Sequence, residues 1–371
     1  MMKTSITPFL LANLLFCSIF IGISVTPAAA VPVLQDRVKR PVTSIQTQSI
    51  LKESSPKTIK TLGTYKDISP YKKNIDSASH KSAVTAQKGS VAKAVTVQKS
   101  RQSQGNIQKK ISAKSAIIMD AANGQTIFAV SPDTPRQPAS TIKILTGMIA
   151  IKSLDFSESV AVSHNAAGQP SSKIHLEKQK RYKADDLINA VLLSSANDAS
   201  VALAEKIAGS EQSFARMMTL RAKLWGATNT VCKTANGLTA KGQSSTARDL
   251  ATIFRHVMQD KEFSQRMKQV KAHTAEGKLL RNHNKALWQI EGAQGGKTGF
   301  TNAAGQTYVG KFKRGSNEII VAIMGSRTMW ADIKTLVEYG FKEQASMVAD
   351  TTEDMKKTTI VASIPAVSRQ Q

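Results

Sequence analysis

Residues 295–326, GGKTGFTNAAGQTYVGKFKRGSNEIIVAIMGS, read as three successive strands. GGKTGF, TNAAGQTYVGKF and NEIIVAIMGS carry the β-branched and aromatic residues that favour a pleated surface, and Arg314-Gly315-Ser316-Asn317 marks a turn between the last two. Two further strand-like runs lie far upstream: SAIIMD and QTIFAV flank AANG, whose Asn123-Gly124 pair is a strong hairpin signal. Between these groups the apolar period changes. STIKILTGMIAIKSL places Ile142, Leu145, Met148, Ile149 and Ile151 at the spacing of a largely buried helix beginning near Ser140. Residues 184–208 read as two helices parted by a polar break at Ser194 to Asp198, residues 245–259 as another, and Tyr339-Gly340-Phe341 closes a final helix. Strands at both ends with helices between them predict an α+β domain over residues 114–345, whose sheet gathers strands distant in sequence.

Charge is unevenly spread. The 371 residues hold 51 Lys+Arg and 26 Asp+Glu, a formal charge of +25. Residues 31–113 alone hold 16 basic and 4 acidic side chains. This stretch is rich in Lys, Ser, Thr, Gln, Ala and Val and keeps neither a 3.6 nor a 2.0 period, so it reads as a disordered basic linker. It is either a solvated spacer or an electrostatic attachment to an anionic envelope surface. The near absence of aromatics and the export signal ahead of it speak against nucleic acid.

The first 30 residues have one positive side chain, Lys3, an apolar run from about Phe9 to Val25, and then Ala28-Ala29-Ala30. That is the pattern of a secretory signal peptide cleaved after Ala30; an uncleaved membrane anchor is the rival reading. Phe16 precedes Cys17 where a lipoprotein signal needs a small residue, which argues against lipidation. Residues 346–371 read as a C-terminal tail. Two cysteines, Cys17 and Cys232, cannot form a disulfide framework, and none of the histidines forms a metal-spaced pair, so neither a disulfide-stapled protein nor a metal or other cofactor is implied.

Three short motifs occur in order: Ser140-Thr141-Ile142-Lys143, Ser195-Ala196-Asn197 and Lys297-Thr298-Gly299. Taken singly, Ser140 is a helix cap after Pro138, Lys143 a solvated lysine and Ser195 an interhelix turn. Their joint order, the first at a helix start and the last on a strand, is the signature of penicillin-recognising serine acyl-transfer enzymes. The chemistry needs these residues. A serine hydroxyl requires a neighbouring base, and a lysine three positions along a helix shares its face. Lysine serves as base only where burial and positive charge lower its pKa, and Lys297 is a candidate source of that charge. Ser195 can relay a proton to a leaving amine, and Asn197 can both donate to and accept from a substrate peptide. Lys297 and Thr298 can hold a carboxylate, and Gly299 lets a substrate backbone lie against the strand. The backbone N–H groups of Ser140 and Phe300 are candidate oxyanion donors.

The stretch from about Lys114 to Gln344 resembles the D-alanyl-D-alanine carboxypeptidases, the low-molecular-weight penicillin-binding proteins. The resemblance lies in SAIIMDAANGQTIFA, PASTIKILTGMIA, DLINAVLLSSANDASVALAE, NGLTAKGQSSTARDLA, RNHNKAL and GGKTGFTNAAGQTYVG. It implies an antiparallel sheet flanked by helices. By similarity Ser140 is the acylated nucleophile, Lys143 its base, Ser195 and Asn197 the second motif, and Lys297, Thr298 and Gly299 the third. It also implies peptidoglycan stem peptides and β-lactam antibiotics as ligands, and a periplasmic location. There are departures. Only residues 346–371 follow the catalytic region, where many members carry a second β-rich domain, and Thr234-Ala235-Asn236-Gly237-Leu238 lacks the Pro-His that often precedes Gly-Leu.

The sequence therefore predicts a serine D,D-carboxypeptidase that removes the terminal D-alanine from pentapeptide stems. A D,D-endopeptidase cutting crosslinks is an alternative in the same class, and a non-catalytic envelope binder is one outside it. A class A β-lactamase is disfavoured because no E-x-x-L-N sequence separates the second and third motifs. Arg327, just after the last strand, reads as a surface residue, with binding of a terminal carboxylate as the alternative; Cys232 reads as structural, and Trp225, Trp288 and Trp330 as packing residues.

Overall fold

The structure is a computed structural model that describes residues 105–362, with side chains to residue 346. The predicted signal peptide, residues 31–104 of the linker and residues 363–371 of the tail lie outside the described residues. Everything described falls within one unit of the chain, Tyr65–Gln371.

A short helix α1 at residues 105–110 leads into a sheet of five strands: β1 Ser115–Asp120, β2 Thr126–Val130, β7 Ala293–Thr301, β8 Gly305–Arg314 and β9 Asn317–Ser326. Their order is β2-β1-β9-β8-β7, antiparallel at every pairing. The N-terminal hairpin thus joins the C-terminal meander through β1 and β9, with Ile117 opposite Ala322. Strand β9 is central, which explains its unbroken IIVAIM run. Ile319, Val321 and Ile323 enter one core, while Ile320, Ala322 and Met324 enter another on the opposite face.

The first core is closed by α10, Met329–Ala362, through Ile333, Leu336 and Val337. The second holds the helices between the strand groups: α2 Lys143–Ser153, α3 His164–Ala167, α4 Ala184–Leu192, α5 Asn197–Ala208, α6 Glu211–Leu224, α7 Ala247–Val257, α8 Lys261–Lys268 and the short α9 Ala286–Gln289. Two small hairpins, β3 Ser159–Ala161 with β4 Arg181–Lys183 and β5 Lys271–His273 with β6 Leu279–Arg281, lie among them. Helix α2 is buried from Lys143 to Ile151. At Gly147 a side chain would collide with Leu192, so glycine lets α2 and α4 approach closely.

Two expected boundaries move. Residues 105–113, read as linker, belong to the fold: Ile107 and Ile111 pack against the α10 core, and the Ser112 N–H and hydroxyl donate to Asp332 at 3.0 and 2.8 Å. The final helix does not close at Phe341 but runs to Ala362, because no glycine or proline interrupts the chain before Pro365. Helix α6 has no counterpart in the sequence reading. It buries Phe214, Ala215, Met218 and Ala222, but Leu220 and Leu224 on its outer surface are exposed and blur the apolar stripe.

Candidate active site

The first motif sits at a helix start as expected, but the first turn is 3₁₀ rather than α. Ser140 lies in a 3₁₀ turn, Ala139–Ile142, that passes into α2 at Lys143. In a 3₁₀ turn residues i and i+3 eclipse, so the three-residue spacing stacks the serine on the lysine, with Lys143 Nζ 2.8 Å from Ser140 Oγ. The turn is fixed from several sides. The Pro138 carbonyl accepts the hydroxyls of Thr141 and Thr307 at 2.5 and 3.0 Å. Ala139 adopts φ +50°, and Gly237, at φ +80°, presses so close that a Cβ there would overlap the Ala139 carbonyl. Only glycine meets both demands at 237.

Lys143 is fully buried, and its Nζ also lies 2.7 Å from Asn197 Oδ1 and 2.7 Å from the Asn236 carbonyl. Burial, and next the charge of Lys297, hold its pKa well below that of an ordinary lysine, against a smaller opposing effect of Asp198. In the neutral amine only two N–H donors remain. The Asn197 and Asn236 oxygens can only accept, so they take both, and the nitrogen lone pair is left facing the Ser140 hydroxyl. The proton on that hydroxyl then has a base in contact with it.

The second motif occupies the sharp break between α4 and α5, where Ser195 takes φ +58°. Lys297 Nζ reaches across from β7 to Ser195 Oγ at 2.9 Å and donates to the Thr298 carbonyl at 3.1 Å. Burial brings the Lys297 pKa down to about 7. The partners of the Lys297 ammonium are neutral oxygens, so it leaves positive potential open to an anion. Asn197 is more constrained than the sequence suggests. Its oxygen serves Lys143 and one N–H donates to the Pro170 carbonyl at 2.9 Å, leaving the second N–H for a ligand. Its neighbour Asp198 is buried and accepts the backbone N–H groups of Ile174, Leu176 and Ala199, which ties down the segment carrying Ser171 and Ser172.

Gly299 brings β7 against the nucleophile turn: an added Cβ would lie 2.7 Å from the Ser140 nitrogen and 2.5 Å from Thr307 Oγ1. The peptide of Phe300 is thereby carried beside Ser140. All three motifs border one cleft of about 620 Å³, whose lining also includes Ser171, Ser172, His283, Phe300 and Trp330. Among the described residues that line it none is acidic. Partial burial, then the Lys297 and Lys143 charges, bring the His283 pKa down to about 4, so it faces the cleft as neutral imidazole near pH 7. No three His, Cys, Asp or Glu side chains among the described residues cluster closely enough to hold a metal ion.

Every predicted site residue is at this cleft or directly behind it. Asn236, Gly237, Asp198 and His283 were not singled out from the sequence. An Asp beside the second motif, and a glycine two residues after Ala235 in a polar loop, were the available signals. Arg327 is exposed, Cys232 is buried with its thiol pushed up to about 12, and Trp225 stacks on His256. Trp288 is not a packing residue, being 52 % exposed, and Trp330 both packs edge-on to Tyr308 and lines the cleft.

A family model described as D-alanyl-D-alanine carboxypeptidase, peptidase S11, matches residues 98–328. The chain belongs to this family. It is 34% identical over 240 residues to D-alanyl-D-alanine carboxypeptidase DacB2 of Mycobacterium tuberculosis, covering 62% of this chain and 82% of that protein. It spans 62% of the length of a second relative, D-alanyl-D-alanine carboxypeptidase DacC of Escherichia coli. Among solved structures, a D-alanyl-D-alanine carboxypeptidase from M. tuberculosis superposes with a TM-score of 0.59 at 32% identity, over 62% of this chain and 91% of that one. Penicillin-binding protein D2 of Listeria monocytogenes in its ampicillin-bound form gives 0.57 at 26% identity, over 62% and 98%. The carboxypeptidase fold, an α+β domain with an antiparallel sheet flanked by helices, is therefore that of this chain.

Proposed function

We propose that the protein is an exported serine D,D-carboxypeptidase acting on the pentapeptide stems of peptidoglycan. Ser140 attacks the carbonyl of the penultimate D-alanine while Lys143 takes its proton. The N–H groups of Ser140 and Phe300 hold the oxyanion, and the terminal carboxylate rests at Lys297 and Thr298. Ser195, hydrogen-bonded to Lys297, passes a proton to the departing D-alanine amine. The free N–H of Asn197 donates to the substrate peptide. Water then releases the acyl-enzyme, with Lys143 again as base. β-Lactams acylate the same serine because they present the same carbonyl and carboxylate.

The observation that carries this reading is the 2.8 Å contact between Ser140 and a buried lysine of lowered pKa. Cleft walls without an acidic side chain, with buried Lys297 behind Ser195 and Thr298, support an anionic substrate. The basic residues 31–113 would hold the enzyme at an anionic envelope surface; among the described residues no helix is long and apolar enough to cross a membrane. The test is labelling with a fluorescent penicillin. The wild-type protein should be labelled covalently and Ser140→Ala should not; labelling of Ser140→Ala at the wild-type level removes Ser140 as nucleophile.

A further inference from the structure

The β5–β6 hairpin forms a two-stranded sheet of its own, outside the five-stranded sheet. Leu280 is buried in the helical core and Ala272 packs against that core, so the alternate positions Lys271, His273, Leu279 and Arg281 turn outward. Lys271 and Arg281 stand directly opposite each other in the register, a like-charge pairing that costs a hairpin stability. Both are exposed, and the acidic side chains of the neighbouring elements are taken up elsewhere: Glu276 by Lys180, and Asp185 and Glu262 by Arg266.

The excess of positive charge continues along the chain. Residues 268–288 hold five basic side chains, Lys268, Lys271, Lys278, Arg281 and Lys285, against Glu276 alone. The same stretch carries Val270, Leu279 and Trp288 at 48, 38 and 52 % exposure, three of the six exposed large apolar side chains among the described residues. Val270 sits at the base of the hairpin, where its carbonyl accepts the Asn282 N–H at 2.9 Å, and Trp288 follows on α9. Between them His283 and Lys285 line the cleft, so this face borders the mouth of the active site. Cations alone suit any polyanion. Cations interspersed with aliphatic side chains and an indole fit a surface that is anionic outside and apolar just beneath, where the tryptophan and leucine enter the interface and the lysine and arginine heads stay with the phosphates.

We propose that the β5–β6 hairpin and α9 form a docking face for an anionic phospholipid bilayer, contacting it through Lys271, Leu279, Arg281 and Trp288. An anionic headgroup layer relieves the repulsion between Lys271 and Arg281, which nothing within the protein does. The face belongs to the catalytic domain itself, acts apart from residues 31–113, and sets the mouth of the cleft beside the membrane surface. It does not depend on the reaction that Ser140 carries out.

The experiment titrates the full-length protein with vesicles of phosphatidylglycerol and phosphatidylcholine, and with vesicles of phosphatidylcholine alone, and measures binding by co-sedimentation. Each basic residue at an anionic surface strengthens binding roughly fivefold. The double variant Lys271→Gln, Arg281→Gln should therefore bind the anionic vesicles at least tenfold more weakly than wild type, with an unfolding temperature no lower, because a like-charge pair has been removed. With brominated acyl chains in the same vesicles, wild-type tryptophan emission should be quenched, and most of that quenching should be absent from Trp288→Phe. Equal binding of the double variant and wild type overturns the proposal, as does wild-type binding to the neutral vesicles at the same strength. Weaker binding of the double variant without quenching that depends on Trp288 indicates a purely electrostatic polyanion contact and also overturns it. Ser140→Ala should bind the vesicles as wild type does, so failure of the carboxypeptidase reading leaves this result standing.

Discussion

Replacing Lys143 with methionine keeps the length of the side chain and removes the amine. Three contacts are lost: Ser140 Oγ at 2.8 Å and the Asn197 and Asn236 oxygens at 2.7 Å each. The Asn197 and Asn236 acceptors are buried, and each orphaned acceptor costs about 1–3 kcal/mol. Removing an amine that has lost its hydration returns part of this, so a net loss of about 2 kcal/mol is expected, or a fall of roughly 4–8 °C in Tm for a domain of this size. The effect on chemistry should be far larger. A positioned general base contributes about 10²–10⁴ in rate, and among the described residues no other side chain is hydrogen-bonded to the Ser140 hydroxyl to replace it. The assay is stopped-flow acylation by a chromogenic cephalosporin, with thermal unfolding on the same samples. A modest fall in Tm with acylation slowed about a hundredfold or more fits a base. Acylation within about fivefold of wild type in folded protein refutes the assignment of Lys143.

The remaining expectations follow from other parts of the site. Because kcat/KM reports the free enzyme, and a carboxylate is best held by protonated Lys297 with its pKa near 7, kcat/KM should fall as pH rises through that value; a profile flat to pH 9 contradicts the role given to Lys297. The same residue predicts a stability slope. Between about pH 7 and the ordinary lysine range the unfolded chain binds the proton and the native state does not, so wild type should gain stability over Lys297→Met as pH rises across that window, measured by urea unfolding. Gly237→Ala forces a Cβ into the Ala139 carbonyl at φ +80°, and should slow acylation by at least tenfold with a smaller change in Tm; unchanged acylation would show that the turn can yield. Asp332 accepts from the Ser112, Ser326 and Thr328 hydroxyls, and Asp332→Ala should lower stability by about 2–4 kcal/mol in urea unfolding; a change under about 0.5 kcal/mol contradicts the view that residues 105–113 are part of the fold.

Much of this architecture is legible in the chain. The two strand groups and the break at 194–198 follow from turn residues and apolar periods, which are local signals. Central β9 reads as a strand because IIVAIM is too short for a helix of its own and is bounded by Asn317 and Gly325. What the sequence does not carry is approach between distant segments. Gly237 matters only because its loop meets Ala139, and Asn236 only because its carbonyl meets Lys143; neither contact leaves a periodic trace. Ser112 looks like linker because its partner, Asp332, lies at the other end of the domain. The 3₁₀ form of the Ser140 turn is similarly hidden, since Pro138 before an apolar period signals a helix of either kind.

The central claim is that Ser140, with Lys143 as its base, removes one D-alanine from a pentapeptide stem. Mass spectrometry of purified muropeptides incubated with the protein and with Ser140→Ala tests this most directly. The account predicts that pentapeptide monomers lose one alanine with wild type and stay intact with Ser140→Ala. Pentapeptides left whole by the wild-type protein, or crosslinked dimers cut to monomers while pentapeptides persist, would contradict it.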